Sequence, residues 1–179
     1  MSKIDPDSDF QDLLDHLGID QWDLLLVGDG SGNTWDYACG WACVAIEKQS
    51  MDRQVLSGSM NRGTNNVAEL MAYVHALTWY VARVRNDTGD IDPRTVHVLT
   101  DSEYVAKTGQ AGYPALRRKN KMLWTAVEMA QRQAIYLRWH HLDRATTALN
   151  RYADYIAGEA RKAAIEPSTI EDPSQYNPE

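Results

Sequence analysis

Apolar positions follow two different periods along the chain, and the change of period orders its elements. In "DFQDLLDHLGI", Phe10, Leu13, Leu14 and Leu17 recur at helical spacing and predict a short amphipathic helix. Residues 22–28, 38–47 and 54–60 are compact runs separated by glycine and polar clusters, which predicts three strands of an antiparallel meander. From Asn65 the period lengthens: Val67, Leu70, Met71, Val74, Leu77, Val81 and Val84 share one helical face. "NDTGDIDP" breaks the chain, and "TVHVLT" is a β-branched strand. A short helix at 102–108 and a longer one near 114–133 follow. "AIYLRWHHL" is the last strand, and Ala153, Ile156, Ala157, Ala160 and Ala164 mark a last helix. The order βββαβαβα is that of an α/β protein with parallel pairing in its second half. No internal repeat is visible.

At 179 residues and 44% apolar content the chain can bury one core of its own. The expected division is an acidic N-terminal extension with a short helix (1–21), one folded domain (22–164) and a flexible acidic tail (165–179). The tail, "IEPSTIEDPSQYNPE", has three prolines and little apolar content. No stretch approaches the roughly 20 apolar residues of a membrane span. The first residues, "MSKIDPDSDF", lack the basic-then-apolar order of a secretory signal. A cytoplasmic, membrane-free monomer is the expectation. Cys39 and Cys43 lie four strand residues apart, about 13 Å, too far for a disulfide, so two small buried residues are expected.

The formal net charge of −7 argues against a nucleic-acid partner only until it is placed along the chain. Residues 1–23 carry seven acids and one lysine, a balance of −6, and residues 165–179 carry four acids and no base. Subtracting −6 and −4 from −7 leaves +3 for residues 24–164. The body is mildly basic between acidic ends, and the local field decides what it attracts.

"LLLVGDGSG" poses the chemical question: an apolar strand ends on a carboxylate, Asp29, with almost no side-chain bulk around it. "VHVLTDSEYV" repeats the arrangement with Asp101. Glu69 is expected in the first turn of the helix opened by "TNNVAEL", and Asp154 in the first turn of the last helix, in "NRYADYIAGEA". Ligands of α/β sheets gather beyond the carboxyl ends of strands. If the first and fourth strands are parallel neighbours, all four acids converge. Like charges so placed raise each other's pKa, and a divalent cation removes the penalty. All-oxygen ligands suit magnesium or manganese, and two such ions can serve phosphodiester cleavage. Each acid also has an ordinary structural reading. Asn66 and Glu69 fit a capping box. Asp101 could cap the next helix, Asp154 could complement a helix dipole, and Asp29 could be a turn aspartate.

"GDGSG", "GTNNVAELMAYVHAL", "LTDSEYV" and "NRYADYIAGEARKAA" resemble, in order and spacing, the four signature segments of type 1 ribonuclease H, over roughly residues 22–164. The resemblance implies an RNase H-like five-stranded mixed sheet flanked by helices, in the order βββαβαβα already read. It implies a metal-binding and catalytic quartet of Asp29, Glu69, Asp101 and Asp154, with Mg2+ as cofactor and Mn2+ as a substitute. It implies an RNA/DNA hybrid as partner and hydrolysis of its RNA strand. Thr64 would then contact a DNA phosphate, and Asn65 and Asn66 the minor groove. Backbone near Gly30 and Ser31 would read the 2′-hydroxyls that separate RNA from DNA.

The sequence also departs from the family pattern. Arg144 falls at a loop position that the family often gives to histidine, and arginine cannot act as a base at neutral pH. His140 and His141 lie earlier, in the last predicted strand. Glu103 stands where the family has a glutamine beside the third acid. Arg117, Arg118, Lys119 and Lys121 lie close to Trp124 and form either a phosphate-binding ridge or a solvated helix face. The acidic extension is too short for a separate hybrid-binding domain, so none is expected before the body. Two alternatives stay open: the same fold acting on a DNA junction or double-stranded RNA, and a non-catalytic nucleic-acid-binding module.

Overall fold

The structure, a computed structural model, describes residues 10–33, 37–85, 89–112, 119–144 and 147–165. The elements run α1 (Phe10–Leu17), β1 (Leu24–Gly32), β2 (Cys39–Glu47), β3 (Arg53–Met60), α2 (Asn65–Val84), β4 (Arg94–Thr100), α3 (Glu103–Gln110), α4 (Lys121–Gln131), β5 (Ile135–His141) and α5 (Ala148–Ile165). The strands form one sheet in the order β3-β2-β1-β4-β5. β1, β2 and β3 pair antiparallel, whereas β4 runs parallel to both β1 and β5. The α/β order and the parallel second half are therefore as the periodicity predicts. Among the described residues, no helix is long and apolar enough to cross a membrane.

Side chains of β1 alternate between two cores, which is why the strand reads as a continuous apolar run. Leu24 and Leu26 pack with α2 and α4 through Leu70, Tyr73, Leu77, Trp124 and Val127. Leu25 and Val27 pack on the opposite face with Phe10, Leu13 and Leu14 of α1 and Leu149 of α5. Cys39 and Cys43 are free, buried thiols in the first core. α1 thus supplies part of the second core.

Among the boundaries that differ from the sequence reading, three bear on the residues singled out above. β1 continues through Asp29 to Gly32, because pairing with β2 extends to Gly32↔Cys39. α4 begins at Lys121, and residues 113–118 lie outside the described residues. α5 begins at Ala148, so Asp154 lies in its second turn, and Glu69 likewise lies one turn inside α2.

Candidate active site

Because β1 and β4 are parallel neighbours, their carboxyl ends face the same edge of the sheet, and Asp29 and Asp101 meet there. α2 crosses that edge and delivers Glu69. Carboxylate oxygens of Asp29, Glu69 and Asp101 lie within 4.8 Å of one another. Asp29 is 3% exposed and Glu69 4%. Asp154 is exposed at the rim, yet its charge reaches both Asp29 and Asp101.

The capping roles open to Glu69 and Asp101 are filled by hydroxyl residues instead. Thr64 caps α2, its Oγ1 accepting the Val67 N–H at 3.3 Å. Ser102 caps α3, its Oγ accepting the Val105 N–H at 3.4 Å. Thr147 precedes α5, its Oγ1 accepting the Asn150 N–H at 3.0 Å. This overturns the capping box of Asn66 and Glu69 and the cap by Asp101, while Asp154, in the second turn of α5, lies beyond the first turn where a helix dipole acts. At α2, α3 and α5 a neutral hydroxyl accepts one of the orphan N–H groups, and the acids are not needed as caps.

The cluster is strained electrostatically. Burial, followed by the charges of Asp101 and Asp154, pushes the Asp29 carboxyl up to about 7, against the Gly30 N–H that donates to its Oδ1 at 2.7 Å. Burial, then Asp29 and Asp101, raises Glu69 well above the usual carboxylate range, although the Asn65 Nδ2 donates to its Oε1 at 3.3 Å. Burial also raises Asp101, while Arg144 and Asn150 favour its charged form. Asp29 Oδ2 and Glu69 Oε2 are buried and find no hydrogen-bond partner. Buried acceptors are rarely left so. Orphaned oxygens in an all-carboxylate cluster fit a hard divalent cation, which would satisfy them and cancel the repulsion.

The bareness around Asp29 has a packing cause. A Cβ on Gly30 would stand 2.3 Å from the Glu69 backbone nitrogen, and one on Gly28 would stand 2.9 Å from the Tyr73 ring. α2 fills the space a side chain at position 30 would need, and this close approach is what brings Glu69 to Asp29. Gly30→Ala is expected to cost about 1–3 kcal/mol, since backbone cannot move aside as a side chain can. Urea unfolding would measure it, and a wild-type midpoint would show that α2 can retreat freely.

The model of the RNase H family matches residues 22–162. The chain belongs to the RNase H family. The resemblance to type 1 ribonuclease H read from its motifs agrees with that match, and the protein is an enzyme of the ribonuclease H class. No curated protein matches the chain by sequence. Solved structures share its fold. The N-terminal RNase H domain of Rv2228c from Mycobacterium tuberculosis, solved as a fusion with maltose-binding protein, is 21% identical with a TM-score of 0.64, covering 81% of this chain and 97% of that one. LC11-RNase H1, in complex with an RNA/DNA hybrid, is 21% identical with a TM-score of 0.63, covering 79% and 99%. RNase H1 from the archaeon Halobacterium salinarum is 20% identical with a TM-score of 0.56, covering 78% and 98%.

Elsewhere in this RNase H, the other residues singled out from sequence are scattered in character. Thr64, Asn65 and Asn66 are exposed at the start of α2, and Ser31 is half-buried at the end of β1. The Arg144 Nε lies 4.0 Å from Asp101 Oδ2, with the arginine side chain 84% exposed. Glu103 is exposed and pairs with Lys107 at 2.7 Å, one turn along α3. Lys119 and Lys121 are exposed, but Trp124 is buried and its Nε1 donates to the Tyr104 hydroxyl at 3.1 Å. The basic ridge thus has no exposed aromatic from Trp124. Arg117 and Arg118 lie outside the described residues. His140 stacks on His97, and the His141 Nε2 lies 3.3 Å from the Asp101 carbonyl oxygen, so both are engaged within the strand layer.

Two residues at the site escape sequence reasoning. Asn150 is buried and favours the charged form of Asp101. Its spacing of four from Asp154 places both on one face of α5, a signal that could have marked it. Tyr73, four residues after Glu69, is buried where β1 and β4 diverge.

Proposed function

We propose that this RNase H is an endonuclease that hydrolyses the RNA strand of RNA/DNA hybrids, with Asp29, Glu69, Asp101 and Asp154 holding magnesium, or manganese in its place. The pair of buried, partnerless oxygens where three carboxylates meet carries the reading. The hybrid bound by LC11-RNase H1 in the same fold supports the substrate. A pair of bound ions would supply an activated water and neutralise charge at the scissile phosphate. The chain's own groups orient the ligands: the Gly30 N–H holds Asp29 and the Asn65 amide holds Glu69, while Asn150 favours the charged form of Asp101. Arg144, permanently charged and exposed beside Asp101, would meet phosphate oxygens. Exposed Thr64, Asn65 and Asn66, with Ser31, would follow sugars and the minor groove. Lys119 and Lys121 would add contacts to more distant phosphates.

A matched substrate set tests this at one salt concentration: RNA/DNA hybrid, duplex DNA, duplex RNA and a four-way junction. Cuts are expected in the hybrid alone and in its RNA strand alone. Preferential cutting of the junction would transfer the site to a resolvase-like activity. No cutting of any substrate would leave a binding module.

A further inference from the structure

The parallel pairing of β1 and β4 ends at Val27↔Leu99, two residues before each strand's catalytic carboxylate. Beyond that point no backbone ladder holds the two strand ends at a fixed separation. The Tyr73 side chain, fully buried, enters the gap from α2. Its hydroxyl accepts the Gly28 N–H at 3.2 Å and directs its proton between the Gly28 carbonyl at 2.9 Å and the Leu99 carbonyl at 2.8 Å. Gly28 precedes Asp29, and Leu99 lies two residues before Asp101. Tyr73 itself is four residues beyond Glu69 and so lies on the same face of α2. One hydroxyl therefore touches the backbone beside two of the carboxylates and belongs to the helix that carries the third.

The ring is held for this task. Trp139 meets it edge-on at 6.1 Å, and the absence of a Cβ at Gly28 gives it room. Burial raises the hydroxyl pKa well above its ordinary value, so it stays a neutral donor and acceptor. A small apolar side chain at position 73 would leave the Gly28 N–H without this acceptor in a buried site, a costly state.

We infer that Tyr73 is a positioning residue: its hydroxyl takes the place of the missing ladder rung between β1 and β4 and so sets the spacing of Asp29, Glu69 and Asp101 for metal. The inference rests on the metal-binding reading of that cluster. Losing the hydroxyl lets the two strand ends separate and weakens the site without altering any ligand.

The test compares wild type, Tyr73→Phe and a control, Leu77→Val, which trims the same helix face one turn further from the cluster. Mn2+ binding is measured by titration calorimetry on the protein alone, and cleavage is measured as a function of metal concentration. Tyr73→Phe is expected to weaken Mn2+ binding about tenfold, to lower kcat at limiting metal with KM for the hybrid little changed, and to recover as metal is raised. Leu77→Val is expected to lower the thermal midpoint while leaving Mn2+ affinity unchanged. Gly28→Ala, which pushes the Tyr73 ring aside, should weaken Mn2+ as Tyr73→Phe does and add little in the double variant. Wild-type Mn2+ affinity in folded Tyr73→Phe, or an equal loss in Leu77→Val, overturns the role of Tyr73. If Tyr73→Phe does not fold, Gly28→Ala decides alone, and wild-type affinity in it overturns the role. Failure of wild type to bind Mn2+ at all would instead refute the metal site itself.

Discussion

Asp29→Asn is expected to lower hybrid cleavage by about 10³-fold or more while leaving the fold intact, and Asp101→Asn to do the same. Each change removes one metal-directed charge and almost no volume. The loss corresponds to several kcal/mol of transition-state stabilisation, at about 1.4 kcal/mol for each factor of ten. Glu103→Gln is the informative contrast. Its carboxylate is exposed and occupied by Lys107, so the rate should change by about twofold at most. Purified variants assayed on a labelled hybrid, with circular dichroism as a fold control, decide the matter. Near wild-type cutting by either aspartate variant would remove that residue from the metal site. Undiminished wild-type cutting in excess chelator would remove the metals altogether.

In chelator, wild-type protein is expected to lose stability as pH rises from about 4 to about 7. The folded Asp29 carboxyl titrates near 7 and the unfolded one near 3.8, so in that window the folded state binds more protons. Stability is then present at low pH and falls as pH climbs through the folded value. Three pKa units correspond to about 4 kcal/mol, or a thermal midpoint lower by about 10 °C. Glu69, also raised, continues the trend to higher pH. Burial lowers His97, and His140 to about 4, which acts with the opposite sign: their contribution is lost as pH falls. Asp29→Asn isolates the carboxylate, because both proteins carry the histidines. The two melting curves should meet near pH 4 and diverge above it, with the variant more stable at pH 8. Magnesium at pH 8 should then raise the wild-type midpoint more than that of the variant, through binding to the folded state. Parallel curves across the whole range would show that Asp29 carries no buried strain.

Much of the arrangement was legible in local pattern. The switch from strand to helix at Asn65 and the alternation that follows depend on side-chain period, which the chain carries residue by residue. The acids at strand exits were legible because a parallel α/β sheet directs such exits to one edge. What each acid does there was not legible. Glu69 could have been half of a capping box until Thr64 proved to be the cap, and Asp101 could have capped α3 until Ser102 did so. Hydroxyl and carboxylate compete on nearly equal terms for a helix start, and a shift of one or two residues in the boundary decides between them.

The bare stretch "GDGSG" shows the same division. Its sequence determined that something must come close to β1 beside Asp29, since glycine at alternate positions clears one face of a strand. Only the tertiary structure decided that the close neighbour is α2, with the Glu69 backbone over Gly30 and the Tyr73 ring over Gly28. Likewise, no spacing rule connects Tyr73 to Leu99 or Asn150 to Asp101. Those contacts arise where helices cross the sheet, and the crossing is set by the packing of two whole cores. Periodicity is a property of neighbours in sequence, whereas the site is built from groups that become neighbours only when the chain has folded.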